Sequence, residues 1–160
     1  FRVGRALRLP SLRLRFGGYL GCASIHRLCG GYHMSWLDRN ESHEVDSVSG
    51  SFMLLRRSLF EQLGGFDEDY FMYGEDMDLC LRVREAGYKV IYCAEGSMLH
   101  HHGKSGKSER QTAAFYDAMN IFYNKHYAPT HSALTTAAVH LGVRFLKARG
   151  LRKLRQEQRS

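Results

Sequence analysis

Between Gly64-Gly65 and Gly87 the sequence leaves room for one aromatic loop and one short helix, and this spacing governs what the chain can fold into. Glycine adopts the left-handed backbone that ends helices, so a Gly-Gly pair and a later lone glycine read as two helix stops. The stretch ahead of the first stop, from Arg56-Arg57-Ser58 to Leu63, is predicted to be a helix. The stretch ahead of the second, from about Asp76 to Ala86, is predicted to be another, with Leu79, Val83 and Ala86 on one face. Phe66 to Tyr73 falls between them as a loop rich in aromatic residues.

The flanks supply strands and further helices. Val45 and Val48 precede Gly50-Ser51, which leads into Phe52-Met53-Leu54-Leu55, a short apolar run suited to a buried strand. Tyr88 to Tyr92 alternates and contains β-branched residues, so it reads as a strand, and Ser97 to His100 as a second extended piece. Phe115, Met119 and Phe122 mark a helix from about Arg110 to His126, which Pro129 breaks. A last helix runs from about Ser132 to Gln158 and is weakened by Gly142 and Gly150. Helices and strands alternating at this length point to an α/β fold. Three segments are expected: a variable basic segment at 1–44, an α/β segment at 45–109 and C-terminal helices with a basic amphipathic tail at 110–160.

Charge divides the 160 residues in another way. The net charge is +7, but residues 1–37 hold six arginines and no acid, and residues 141–160 hold seven basic residues against Glu157. The interior is therefore acidic, which suits cation binding in the middle and anion attraction at the ends. Basic and aromatic residues are not interleaved, so a membrane surface or an anionic lipid is expected ahead of nucleic acid, with a solvated basic tail as the alternative. The four cysteines, at 22, 29, 80 and 93, have no metal-like spacing. Cys80 and Cys93 are expected in the core, and a reducing compartment fits best. No apolar run reaches the roughly 18 residues needed to cross a bilayer.

The chemistry-bearing stretch is Tyr70-Phe71-Met72-Tyr73-Gly74-Glu75-Asp76-Met77-Asp78. Carboxylates at a helix start cap free N–H groups and complement the dipole. Here they also follow a glycine that allows close approach of a ligand, and aromatic rings, Tyr70, Phe71 and Tyr73, suited to stacking on a sugar. A carboxylate held at a loop-to-helix junction can serve as a general base. His100 and His102 share one side of an extended chain, where an imidazole can complete the shell of a divalent cation. Gly103-Lys104-Ser105 lacks the earlier glycine of a phosphate loop, although Lys104 could still touch a phosphate. Asp67-Glu68-Asp69 follows Gly-Gly-Phe and not a buried strand, and reads as a surface turn.

Five blocks in order, Val45 to Arg57, Gly64-Gly65-Phe66-Asp67-Glu68, Phe71 to Cys80, Ala86-Gly87-Tyr88 and His100-His101, resemble the family 2 glycosyltransferases, in particular their rhamnosyltransferase-like branch. The resemblance implies part of a GT-A fold, a Rossmann-like mixed sheet with flanking helices. It implies inverting transfer of a sugar from a nucleotide-diphosphate donor to a saccharide or lipid-linked acceptor in cell-surface polysaccharide or glycolipid synthesis. Asp76 would be the base with Glu75 beside it. The resemblance gives the divalent metal, Mg or Mn, in the first place to His100, with His102 the further candidate from its shared side of the extended chain. Gly50, Ser51, Tyr73, Gly74, Asp78 and Lys104 are expected to bind substrate. The expected place of action is the cytoplasm, peripheral on the inner face of the membrane.

The chain departs from that pattern in two respects. Position 47 is Ser where the branch commonly has an aromatic, and the nucleotide-binding strands and metal-binding Asp-x-Asp that come before Val45 in the family are not found. With Phe1 as first residue, the chain is therefore expected to be the acceptor-side, C-terminal portion of a longer enzyme, without activity on its own. The alternative is a non-catalytic remnant or an anion- or membrane-binding module of the same fold. A metal hydrolase built on the histidines ranks last for want of ligands.

Overall fold

The computed structural model describes residues 6–7, 34, 37–96 and 108–159. They divide into two compact units, one made of residues up to Phe66 together with Asp76–His101, the other of Asp67–Glu75 and His102 onward.

The first unit is a small α/β body. β1 (Ala6–Leu7) pairs antiparallel with β3 (Ser47–Val48), Ala6 opposite Val48, and β2 (His43–Val45) pairs antiparallel with β4 (Val90–Tyr92), Val45 opposite Val90. In β4 Val90 and Tyr92 are buried and Ile91 is exposed, the alternation expected of a strand covered on one face. Two helices lie between β3 and β4 in the chain, α1 (Arg57–Gln62) and α2 (Glu75–Glu85). Val45, Leu59, Leu79, Cys80, Val83, Val90 and Tyr92 form the core between them.

Both helices end as the glycines require. Gly65 N–H donates to the Phe60 carbonyl and Gly64 N–H to Glu61, while Tyr88 N–H donates to Val83 and Gly87 N–H to Arg84. Each is a paired helix-terminating motif with glycine in the left-handed region, φ 79° at Gly64 and 85° at Gly87. Arg82 then joins the two helices. Its Nε donates to Asp78 Oδ2 at 2.8 Å, one terminal nitrogen to the Leu63 carbonyl at 2.7 Å and the other to the Gly65 carbonyl at 2.8 Å. One guanidinium thus places positive charge at the negative end of α1 and satisfies carbonyls that the helix leaves open.

Four expectations are corrected here. Phe52–Leu55 is not a strand: no ladder partner reaches it among the described residues, and Leu54 is 86% exposed. Asp78 is not at the surface awaiting substrate but fully buried against Arg82. Cys93 is exposed, because it lies just past the end of β4, whereas Cys80 is in the core. Ala86 is exposed just past the end of α2, so the buried apolar face consists of Leu79, Cys80 and Val83.

The second unit is a helical hairpin of α3 (Glu109–His126) and α4 (Ala133–Glu157), joined through a 3-10 turn at Ala128–Thr130 that contains Pro129. Ser108 caps α3 in a reciprocal box with Gln111, and Ser132 caps α4 through the Thr135 N–H. Asn124–His140, Asp117–Lys147 and Glu109–Arg155 contacts run along the hairpin in antiparallel order. Burial of Ala118, Phe122, Tyr123 and Leu154 holds it together. Gly150 does more than weaken α4: a Cβ there would lie 2.8 Å from the Tyr116 hydroxyl, so the close approach of the two helices needs glycine at this position.

Removing the buried carboxylate should cost far more than removing an exposed one. Asp78→Asn is expected to lower the unfolding free energy in urea by about 3 kcal/mol, because Arg82 is left with an uncompensated charge. Glu61→Gln, which removes the exposed partner of Arg57, should cost under about 1 kcal/mol.

Candidate active site

Asp76 lies in the first turn of α2, and its side chain reaches back across 26 residues of sequence to the turn at Ser49–Phe52. Oδ2 accepts the Gly50 N–H at 2.8 Å, and Oδ1 accepts the N–H of Met77 at 2.8 Å. A carboxylate offers about four acceptor positions, so two remain for other partners. The group is half-buried, which leaves it accessible while two backbone amides fix its orientation. This is the geometry wanted of a general base: rigid, charged and with free lone pairs.

Gly50 packs closely on that contact: a Cβ added at this position would sit 3.2 Å from the Asp76 Cβ, so Asp76 would have to shift by a few tenths of an ångström to admit it. The Ser49 and Ser51 hydroxyls hydrogen-bond to each other at 3.1 Å, and Phe52 N–H donates to the Ser49 carbonyl, which closes the turn. Cys80 lies one helical turn beyond Asp76, beside the fully buried Ser47. Burial pushes its thiol up, the Asp76 charge adds to this, and hydrogen bonds from Ser47 and Val48 oppose it. Cys80 is therefore a neutral packing residue and not a nucleophile.

The aromatic loop belongs to the second unit. Tyr73 and Gly74 both have left-handed backbone, φ 69° and 86°, which for a tyrosine costs about 1–2 kcal/mol. Gly74 cannot carry a side chain, since a Cβ would fall 3.1 Å from the Tyr70 ring. Tyr70 is buried and unavailable for stacking on a sugar. Tyr73 is 42% exposed and meets Phe115 edge-on, and the Arg110 guanidinium lies 3.9 Å from the centre of the exposed Phe71 ring. Glu75 is half-buried at the start of α2. The turn at Asp67–Asp69 is confirmed as a surface turn: Asp69 N–H donates to Asp67 Oδ1, and Asp67 pairs with Lys125.

Of the expected site residues, the structure brings Asp76 and Gly50 together, with Ser51 in the same turn. It turns Asp78 inward, away from any substrate. His100, His102 and Lys104 lie outside the described residues. No group of three histidines, cysteines or carboxylates among the described residues could hold a metal ion. Arg82 was not anticipated. Its signal is the spacing of four from Asp78, which puts the two side chains on one face of α2.

Comparison with known proteins bears on this arrangement. The profile of glycosyl transferase family group 2 matches residues 29–144. An N-acetylglucosaminyl-diphospho-decaprenol L-rhamnosyltransferase of Mycobacterium tuberculosis is 41% identical over 93 residues, 57% of this chain and 30% of that protein. An O-antigen chain rhamnosyltransferase of Salmonella anatum is 47% identical over 64 residues, 40% of this chain and 20% of its own. A rhamnosyltransferase of Escherichia coli is 50% identical over 57 residues, 36% of this chain and 22% of its own. The chain thus spans under a third of the length of these relatives. No solved structure matches it.

If Asp76 holds the Gly50 amide, Asp76→Ala should speed hydrogen exchange at Gly50 at least tenfold while α2 amides near Leu79 keep their protection. The loss of a hydrogen bond to a charged group should cost about 2 kcal/mol locally. Residue-resolved exchange by NMR reads both.

Proposed function

Because this chain belongs to glycosyl transferase family group 2, we propose that it is the acceptor-side portion of an enzyme that transfers rhamnose from a nucleotide-diphosphate donor to a hydroxyl of a saccharide or lipid-linked acceptor, with inversion, in cell-surface polysaccharide synthesis. Sugar transfer follows from the family, and the rhamnosyltransferase names of the relatives support the choice of donor sugar. The relative that acts on a decaprenol-linked saccharide supports a lipid-linked acceptor. The whole enzyme's activity is part of this proposal, since the chain covers only a fraction of those proteins.

The observation that carries the reading is the half-buried Asp76 carboxylate, fixed by the Gly50 and Met77 amides with lone pairs to spare. In the proposed step the acceptor hydroxyl oxygen forms a bond to the anomeric carbon as its proton passes to a carboxylate oxygen of Asp76. The bond from that carbon to the diphosphate oxygen breaks, and its electron pair leaves with the nucleoside diphosphate. Attack opposite the leaving group inverts the configuration. The backbone amides hold the base in line at no entropic cost during reaction. Within the second unit, Tyr73 and Phe71 are proposed to offer ring faces for a sugar. A divalent ion, with His100 and His102 as its proposed ligands here, would supply charge neutralisation on the diphosphate.

At the length of its relatives, the protein should transfer sugar from nucleoside-diphosphate rhamnose at least tenfold faster than from the glucose analogue, by radiolabel transfer. NMR of the product should show the anomeric configuration opposite to the donor's. A retained configuration, or no transfer from any nucleotide sugar, would sink the reading.

A further inference from the structure

The outer face of α4 carries apolar side chains that no described residue covers. Leu134, Leu141 and Phe145 are 82%, 70% and 66% exposed, and Ala138 and Ala148 are exposed between and beyond them. At 3.6 residues per turn these five positions fall within one narrow stripe. The residues that face α3, among them Thr136, Lys147 and Leu154, lie on the opposite side. The stripe is therefore not the packing face of the hairpin but a second apolar face.

Its continuation is basic. Arg152 lies on the line of the stripe, with Arg149 and Arg144 along its edges, and all three are exposed. Lys147 and Arg155 are tied to Asp117 and Glu109 across the hairpin, whereas Arg144, Arg149 and Arg152 form no ion pair with any described residue. From Ala133 to Gln156 the helix contains no acidic residue. The family profile ends at residue 144, so most of this basic end lies outside what the family match covers.

We infer that the outer face of α4 is a docking surface for an anionic lipid bilayer, with Leu134, Leu141 and Phe145 in the acyl boundary and Arg144, Arg149 and Arg152 among the headgroups. Charge complementarity selects this occupant. A second copy would set arginines against arginines, and a nucleic acid would leave the leucines and the phenylalanine in water. No helix among the described residues is long and apolar enough to cross a membrane, and an amphipathic helix with arginines at its edge lies in the interface plane. The Leu134–Arg152 face, about 27 Å long at 1.5 Å per residue, would hold the hairpin on the surface where a lipid-linked acceptor is presented. This docking does not depend on Asp76, so it can fail or stand apart from the proposed chemistry.

The test is flotation of the full chain with vesicles of phosphatidylcholine alone or mixed with phosphatidylglycerol. The chain should float with the mixed vesicles and be released by high salt. Leu141→Glu with Phe145→Glu, both at exposed positions, should lower binding at least tenfold with helix content and melting temperature unchanged. Arg149→Gln with Arg152→Gln should weaken binding to mixed vesicles about thirtyfold. As a second reading that needs no loss-of-function variant, Leu141→Trp should shift its emission to the blue on adding mixed vesicles. Three results would overturn the inference. They are wild-type flotation of both double variants, a dimer in sedimentation velocity that the Leu141→Glu, Phe145→Glu pair dissolves, and binding to single-stranded RNA that mixed vesicles do not displace.

Discussion

The Arg82 guanidinium is the fixed point of the first unit. It neutralises the buried Asp78 and takes up two carbonyls at the end of α1, which ties α2 to α1 in the observed rotation. That rotation sends Leu79, Cys80 and Val83 into the core and turns Asp76 toward the Ser49–Phe52 turn. A buried ion pair is a poor way to add stability for its own sake, since desolvating two charges offsets most of their attraction. Its effect here is on specificity: the geometry at Asp76 follows from the geometry at Arg82.

Two aspartates, two residues apart, are thereby given different work. Successive even-numbered positions on a helix are rotated by about 200°, so Asp76 and Asp78 point to opposite sides. Asp78 is sealed inside and holds the fold, while Asp76 keeps part of its surface in solvent and spends only half of its acceptor capacity on the backbone. The Gly50 contact closes the arrangement, and the absence of a side chain there lets the carboxylate approach the amide without adjustment.

Much of the fold was legible in the sequence. The helices at 57–62, 75–85, 109–126 and 133–157 follow from apolar spacing, glycine stops and the break at Pro129, which are local signals. What was misread depends on distant partners. Phe52–Leu55 has the composition of a strand but no ladder partner among the described residues, and a strand exists only through its pairing. Asp78 resembled a helix-start carboxylate because first-turn preferences do not show which side of a helix is buried. Gly150 resembled a helix breaker because its reason, the Tyr116 ring, lies 34 positions away. The site itself was half legible: the choice of Asp76 and Gly50 came from their place in the sequence pattern, and their contact came only from the fold.

The central claim is that the Asp76 carboxylate takes the acceptor's proton. The most direct measurement is the transfer rate of Asp76→Asn at saturating donor and acceptor, in the protein at the length of its relatives. Loss of a general base should lower kcat by about 10²–10⁴ with KM for both substrates and the melting temperature nearly unchanged. A variant that transfers sugar at the wild-type rate would contradict the account.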